Sequence, residues 1–184
     1  FFDHPIHTTH LQHLYRLLCT HQLFLPFLPQ VIEKIDLTAY EIIISSSHAI
    51  AKGIIPPTRA RHITYCHTPM RYAWEMEEQY LHDFGVPRIL KPLARTILNR
   101  LRRWDLTSAK RSDTFIANSS TTAERIRRIY NRESMIVHPP VDGRFFENHQ
   151  MPIPNFKTYF LAVGRLVPYK KFDLLVETAI ILKL

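Results

Sequence analysis

Cysteine is scarce: Cys19 and Cys66 are the only two among 184 residues. Two thiols cannot form a disulfide framework for a chain this long, which points to a reducing, cytoplasmic setting. Long apolar runs are also missing. The most apolar short stretch, Leu23 to Pro29, contains two prolines and falls far short of the roughly 18 to 20 residues a membrane span needs. No secretory signal, internal repeat or low-complexity tract is visible in these residues. Position 1 is not Met, and no stop signal follows the apolar helical run Thr178 to Leu184. Both ends are therefore expected to be cut from something longer.

What is present is the composition of a globular protein, 46% hydrophobic and 22% charged, with a net charge of +8. Acids are thin where bases are dense. Between Arg88 and Arg132 stand twelve Lys or Arg against three acids, Asp105, Asp113 and Glu124. Such a run implies an anionic partner, whether nucleic acid, a phosphorylated substrate or a membrane surface, or else a merely solvated helix face.

Apolar runs with β character alternate with helical patterns, which predicts an α/β architecture. Strands are expected at Glu41–Ser45, His62–Cys66, Thr114–Ala117, Met135–Val137 and Tyr159–Val163. Helices are expected at Leu11–Leu18 and at Tyr72–Phe84, the latter stopped by Gly85. A long helix is expected along the stripe Leu90, Leu93, Ile97, Leu101 and Trp104. Thr121 or Thr122 can N-cap the run Ala123 to Tyr130, and Asp173 falls in the first turn of the last helix. Each strand ends in small, polar or imidazole residues, where open parallel sheets bind ligands. Proline and polar residues between Asp142 and Lys157 suggest a linker.

Val163-Gly-Arg-Leu-Val-Pro-Tyr-Lys-Lys-Phe-Asp-Leu-Leu-Val-Glu177 resembles the opening of the nucleotide-binding domain of family 4 glycosyltransferases. Ser45 to Gly53, Tyr65 to Trp74, Ile116 to Arg125 and Val137 to Asp142 resemble the same family, in the expected order. The nearest likeness is to bacterial mannosyltransferases of O-antigen or exopolysaccharide synthesis. The resemblance implies a GT-B type, Rossmann-like parallel-sheet domain, incomplete, followed by the first strand and helix of a second. Residues 1–150 would be the acceptor-side domain and 151–184 the start of the nucleotide-sugar domain.

The same resemblance implies the chemistry. The activity would be retaining transfer of a hexose, mannose from GDP-mannose, to a lipid-linked or oligosaccharide acceptor, with no metal or cofactor. Arg165 and Lys170, after Gly164, would neutralise the departing diphosphate. Lys171 stands where many relatives have Gly or Arg. His67 would lie beside the donor sugar as the catalytic group. Ser46, Arg71, Tyr72, Asn118 and His138 would contact acceptor or sugar. Strand-end caps or core packing are the competing roles for these residues. The basic stretch Arg88–Arg111 would touch an anionic membrane at the inner face of the plasma membrane. His4, His7, His10 and His13 have no accompanying Cys or acid pattern, so no metal is expected there. Relatives carry a Glu-x7-Glu pair further on, so this piece alone is expected to be inactive. The alternatives are a basic nucleic-acid-binding module, for which no recognisable motif is present, or another GT-B enzyme such as a nucleotide-sugar epimerase or a phosphorylase.

Overall fold

Four of the five apolar runs pair with one another. The computed structural model describes residues 5–9, 11, 24–83, 85–144, 160–167 and 170–182. In it β1 (Ile42–Ser47), β2 (Arg61–Cys66), β3 (Thr114–Ala117) and β4 (Met135–Ile136) form one parallel sheet in the order β1-β2-β3-β4. Ile43 stands opposite His62, Thr64 opposite Phe115, and Ile116 opposite Met135. This is the α/β, Rossmann-like sheet that the alternation of patterns predicts.

Helix α1 (Leu28–Glu33) precedes the sheet, and a 3-10 turn, Ala51–Gly53, follows β1. Between β2 and β3 lie α2 (Arg71–Trp74), α3 (Glu77–Asp83) and α4 (Lys91–Ala109); α5 (Ser120–Tyr130) joins β3 to β4. Parallel strands taken in chain order need a crossover at each step, and crossovers of one hand return over one face. Burial follows: Ile43, Ser45 and Ser47 of β1, His62, Thr64 and Cys66 of β2, and Phe115 and Ala117 of β3 are buried, while Ile42 and Ile44 are exposed. The two larger clusters are Met70, Ala73, Leu81, Leu98 and Leu101 on one side, and Phe115, Ala117, Ile126 and Tyr130 on the other; a third, smaller one joins Ile43, Ile54 and Ala60. Gly53 is required by close approach, since a Cβ there would lie 2.2 Å from the Trp104 ring.

Several expectations change. The first strand runs on to Ser47, so Ser45 and Ser47 are core residues and not loop hydroxyls. The helix expected at Tyr72–Phe84 is two helices. The Arg102 guanidinium takes the Ala73 carbonyl and pairs with Glu77, which ends α2 and holds the start of α3. The stop at Gly85 stands, with φ +61°. Of the stripe read in the sequence for α4, Leu101 is buried and Ile97 and Trp104 pack against the core, but its N-terminal part does not. Leu98, Leu101, Asp105, Ser108 and Ala109 face inward, whereas Leu90 and Leu93 are exposed. The N-cap of α5 is Ser119, whose hydroxyl accepts from the Thr122 amide at 3.2 Å.

Residues 160–163 take no strand assignment, because a strand needs a ladder neighbour and none stands beside them among the described residues. The helix expected after them is present as α6 (Phe172–Ile181), with Asp173 in its first turn. The helix expected at Leu11–Leu18 and most of the linker lie outside the described residues.

Candidate functional site

The carboxyl ends of the strands bring the predicted polar residues to one edge of the sheet. Ser46 in β1 stands opposite Tyr65, and its Oγ lies 2.8 Å from Nε2 of His67, just past the end of β2. The Tyr65 ring meets the His67 ring edge-on, and its hydroxyl donates to the Val137 carbonyl at 3.0 Å. The Thr122 hydroxyl donates to the His67 carbonyl at 3.1 Å, tying the turn after β2 to the start of α5. Further along the edge, His138 Nδ1 donates to the Asn118 carbonyl at 3.2 Å, and the Asn118 side chain accepts from Ser119. His138 thus braces the chain after β4 against the end of β3.

Beside this edge opens a cavity of about 680 Å³. Ser46, Arg71, Tyr72 and Arg165 all line it, so four of the predicted site residues come together. His67, Asn118, His138, Gly164 and Lys170 do not line it. Much of its wall is apolar, from α1 (Leu28, Val31, Ile32) and from Ala49, Ile50 and Ala51 after β1. Thr68, next to His67, also lines it. Its Oγ1 is buried with no hydrogen-bond partner among the described residues, so a ligand hydroxyl or phosphate oxygen would satisfy it. Burial, then the charge of Asp105, pushes the Tyr72 phenol above its usual range. Tyr72 therefore stays protonated at neutral pH and can donate to a ligand.

Arg165 and Lys170 flank a short turn, in which the Lys170 amide donates to the Val167 carbonyl at 2.9 Å. At Gly164 a Cβ would sit 3.2 Å from the Phe172 ring, so the small residue lets the chain pack on the first turn of α6. Lys171 adopts a left-handed backbone with φ +53°, a conformation glycine takes without cost.

The family model described as Glycosyltransferase Family 4 matches residues 4–144, a span that includes the whole sheet and both of its larger clusters. The chain belongs to glycosyltransferase family 4. No curated protein and no solved structure matches it.

Two buried polar systems of this family 4 chain escaped sequence reasoning. In the first, Lys52 is 2% exposed and Asp105 fully buried. Lys52 Nζ donates to Asp105 Oδ1 at 2.5 Å, to Ser108 Oγ at 2.8 Å and to the Asp105 carbonyl at 3.2 Å. The other carboxylate oxygen accepts from Trp74 Nε1 at 2.8 Å and from the Tyr130 hydroxyl at 2.9 Å. Lys52 also lies over the Trp104 and Tyr130 rings. Burial lowers the Lys52 pKa, and Asp105 opposes that effect. One signal was available. Asp105 and Ser108 continue the inward stripe of α4 at helical spacing, and a buried acid requires a buried cation.

The second system is a relay. His62 Nδ1 is 3.1 Å from the Arg111 carbonyl, which can only accept, so the ring carries its proton there and Nε2 accepts from Ser45 Oγ at 2.9 Å. Ser45 in turn contacts Thr64, and Thr64 contacts Ser112. Burial lowers the His62 pKa, and the Arg111 carbonyl partly opposes this. Burial also pushes the Cys66 thiol up to about 12, so this cysteine is inert packing.

The basic run is less free than its composition implied. Arg95 and Arg102 pair with Glu77 and Glu78, Arg111 with Glu33, and Arg125 and Arg128 with Glu75. Arg132 donates to the carbonyls of Ala109, Ser112 and Asp113. The acids that answer these arginines lie outside the run in sequence, which is why the local count overstated the positive face. Arg100, Arg103 and Lys110 remain exposed along one side of α4. No helix among the described residues is long and apolar enough to cross a membrane.

Proposed function

We propose that this family 4 glycosyltransferase chain is the acceptor-side part, residues 1–150, and the start of the donor-side part, residues 151–184, of a retaining hexosyltransferase. The donor is a nucleotide sugar, GDP-mannose by the family likeness. One observation carries the reading: Ser46, Arg71 and Tyr72 share a single cavity with Arg165. Transfer leaves a nucleoside diphosphate on which negative charge grows. A guanidinium fixed beside the leaving group stabilises that charge more than it stabilises the ground state. Arg165 supplies it in a fork that fits phosphate oxygens, and Lys170 adds a point charge from the same turn. His67, oriented by Ser46, is the proposed group beside the sugar.

The apolar wall favours a lipid-linked acceptor over a free oligosaccharide. Hydrocarbon packs against Leu28, Val31 and Ile32, while Arg71 and Tyr72 meet the phosphate and sugar. The exposed Arg100, Arg103 and Lys110 would hold the protein at an anionic membrane surface, the inner face of the plasma membrane, each contributing about 1 kcal/mol. No cofactor or metal is assigned to the reaction.

The test is Arg165→Ala in a form of the protein that transfers sugar, assayed with GDP-mannose and UDP-glucose. Turnover is expected to fall by roughly one to three orders of magnitude, as removal of a preorganised charge does. An unchanged rate would take Arg165 out of the site.

A further inference from the structure

The segments that wall the cavity are anchored at one buried point. Lys52 closes the turn that begins at Ser46 and runs through Ala51, and its amide donates to the Ser47 hydroxyl. Trp74 ends the segment that contains Thr68, Arg71 and Tyr72. Tyr130 ends α5, the helix whose Thr122 hydroxyl donates to the His67 carbonyl at the start of that same segment. All three side chains meet at Asp105 on α4, which divides its two oxygens between them: Oδ1 to Lys52, Oδ2 to Trp74 and Tyr130. Ser108 and the Asp105 carbonyl occupy the remaining ammonium hydrogens.

Apolar side chains of similar volume would fill this space without the cost of stripping water from two charges. What they would not supply is direction. A carboxylate with three fixed donors holds each donor's backbone at a set distance and angle, whereas apolar contacts let packed segments slide. The directed bonds run to two segments, residues 47–53 and 67–74, and to α5, which is tied to the second of them through Thr122 and His67.

We propose that Asp105 is a positioning residue: with Lys52, Trp74 and Tyr130 it fixes the turn after β1 and the segment after β2 against each other. Ser46, Thr68, Arg71 and Tyr72 thereby take their places around the cavity. The ordering of the two segments stands on geometry alone; its consequence for sugar transfer rests on the reading above.

The experiment is amide hydrogen exchange on the full 184-residue chain, comparing wild type, Asp105→Asn and the double variant Lys52→Met with Asp105→Leu. The double variant removes both charges together, so it leaves no buried charge unpaired, which Asp105→Asn does at Lys52. In it, the hydrogen-bonded amides of Lys52, Gly53, Ala73, Trp74 and Glu75 are expected to exchange about tenfold faster or more, the factor that loss of a charge-assisted hydrogen bond gives. Amides of β2 and β3 should be unchanged. Emission from Trp74 and Trp104, the two tryptophans, should shift in the same variant. Wild-type exchange at those five amides in a folded double variant would overturn the proposal. Calorimetric titration with GDP and UDP separates the two readings. Weaker binding in the double variant than in wild type ties the network to the cavity. Absence of binding even to wild type counts against a diphosphate site in this cavity, and leaves the exchange result to decide the positioning role.

Discussion

Residues 114–130 and 160–181 are written in the same grammar, a short apolar run, a small polar turn and a helix, yet they end in different states. In the first, Phe115 and Ala117 are buried, Ser119 caps α5, and Ile126 and Tyr130 close the core beneath the sheet. In the second, Phe160 is 81% exposed, the run forms no strand, and α6 buries no residue and has no side-chain cap. The difference is not propensity. β3 has β2 and β4 on either side, so its backbone groups are satisfied and its side chains have a helix to pack on. Residues 160–163 have no such neighbour among the described residues. A strand is a property of a pair of segments, and burial follows pairing.

The sharpest way to break this comparison is to truncate equivalent helix positions. Ile126→Ala, at a fully buried site, is expected to cost about 2 to 5 kcal/mol in denaturant unfolding. Leu175→Ala, at a site 52% exposed, should stay within about 0.5 kcal/mol. Equal effects would mean that α6 is packed in solution. Next in size is the contrast within the basic run. Arg102→Ala strands the Ala73 carbonyl and leaves Glu77 only Arg95 as a cation partner and should cost about 1 to 3 kcal/mol. Arg100→Ala, which removes no such bond, should fall within about 0.5 kcal/mol in the same assay. Ser119→Ala should cost about 1 kcal/mol by removing the α5 cap; α6 has no counterpart to lose.

The smallest expected effect is a pH dependence seated in the sheet. The folded pKa of His62 lies below its ordinary value of 6.5. The unfolded chain therefore takes up a proton first as the pH falls below about 6.5, and stability drops through that window down to the folded pKa. Thermal unfolding at pH 7 and pH 5 should show a lower midpoint at pH 5. His62→Gln should flatten that slope; an unchanged slope would place the titration elsewhere.

The strands of the sheet were legible because each is a run of β-branched and aromatic residues closed by polar ones, a signal contained in neighbouring positions. The motif residues Ser46, Arg71, Tyr72 and Arg165 were legible through their family likeness. Their meeting in one cavity was not, because it depends on how the segments after β1 and β2 pack on α1 and on the turn before α6. Helix limits were read less well. The break between α2 and α3 is made by Arg102, a residue 29 positions from the carbonyl it takes, and no local pattern carries such a contact.

The sequence by itself determined an alternating α/β chain, the parallel sheet, the polar strand ends and the family. Those features come from side-chain periodicity and local motifs, which are written in consecutive residues. Tertiary structure alone decided which arginines are consumed by Glu33, Glu75, Glu77 and Glu78, and that Lys52 and Asp105, 53 positions apart, meet beneath the cavity. It also decided that residues 160–163 have no strand beside them among the described residues. Each of these depends on charge pairing, desolvation or ladder formation between distant segments, and those energies exist only once the segments are brought together.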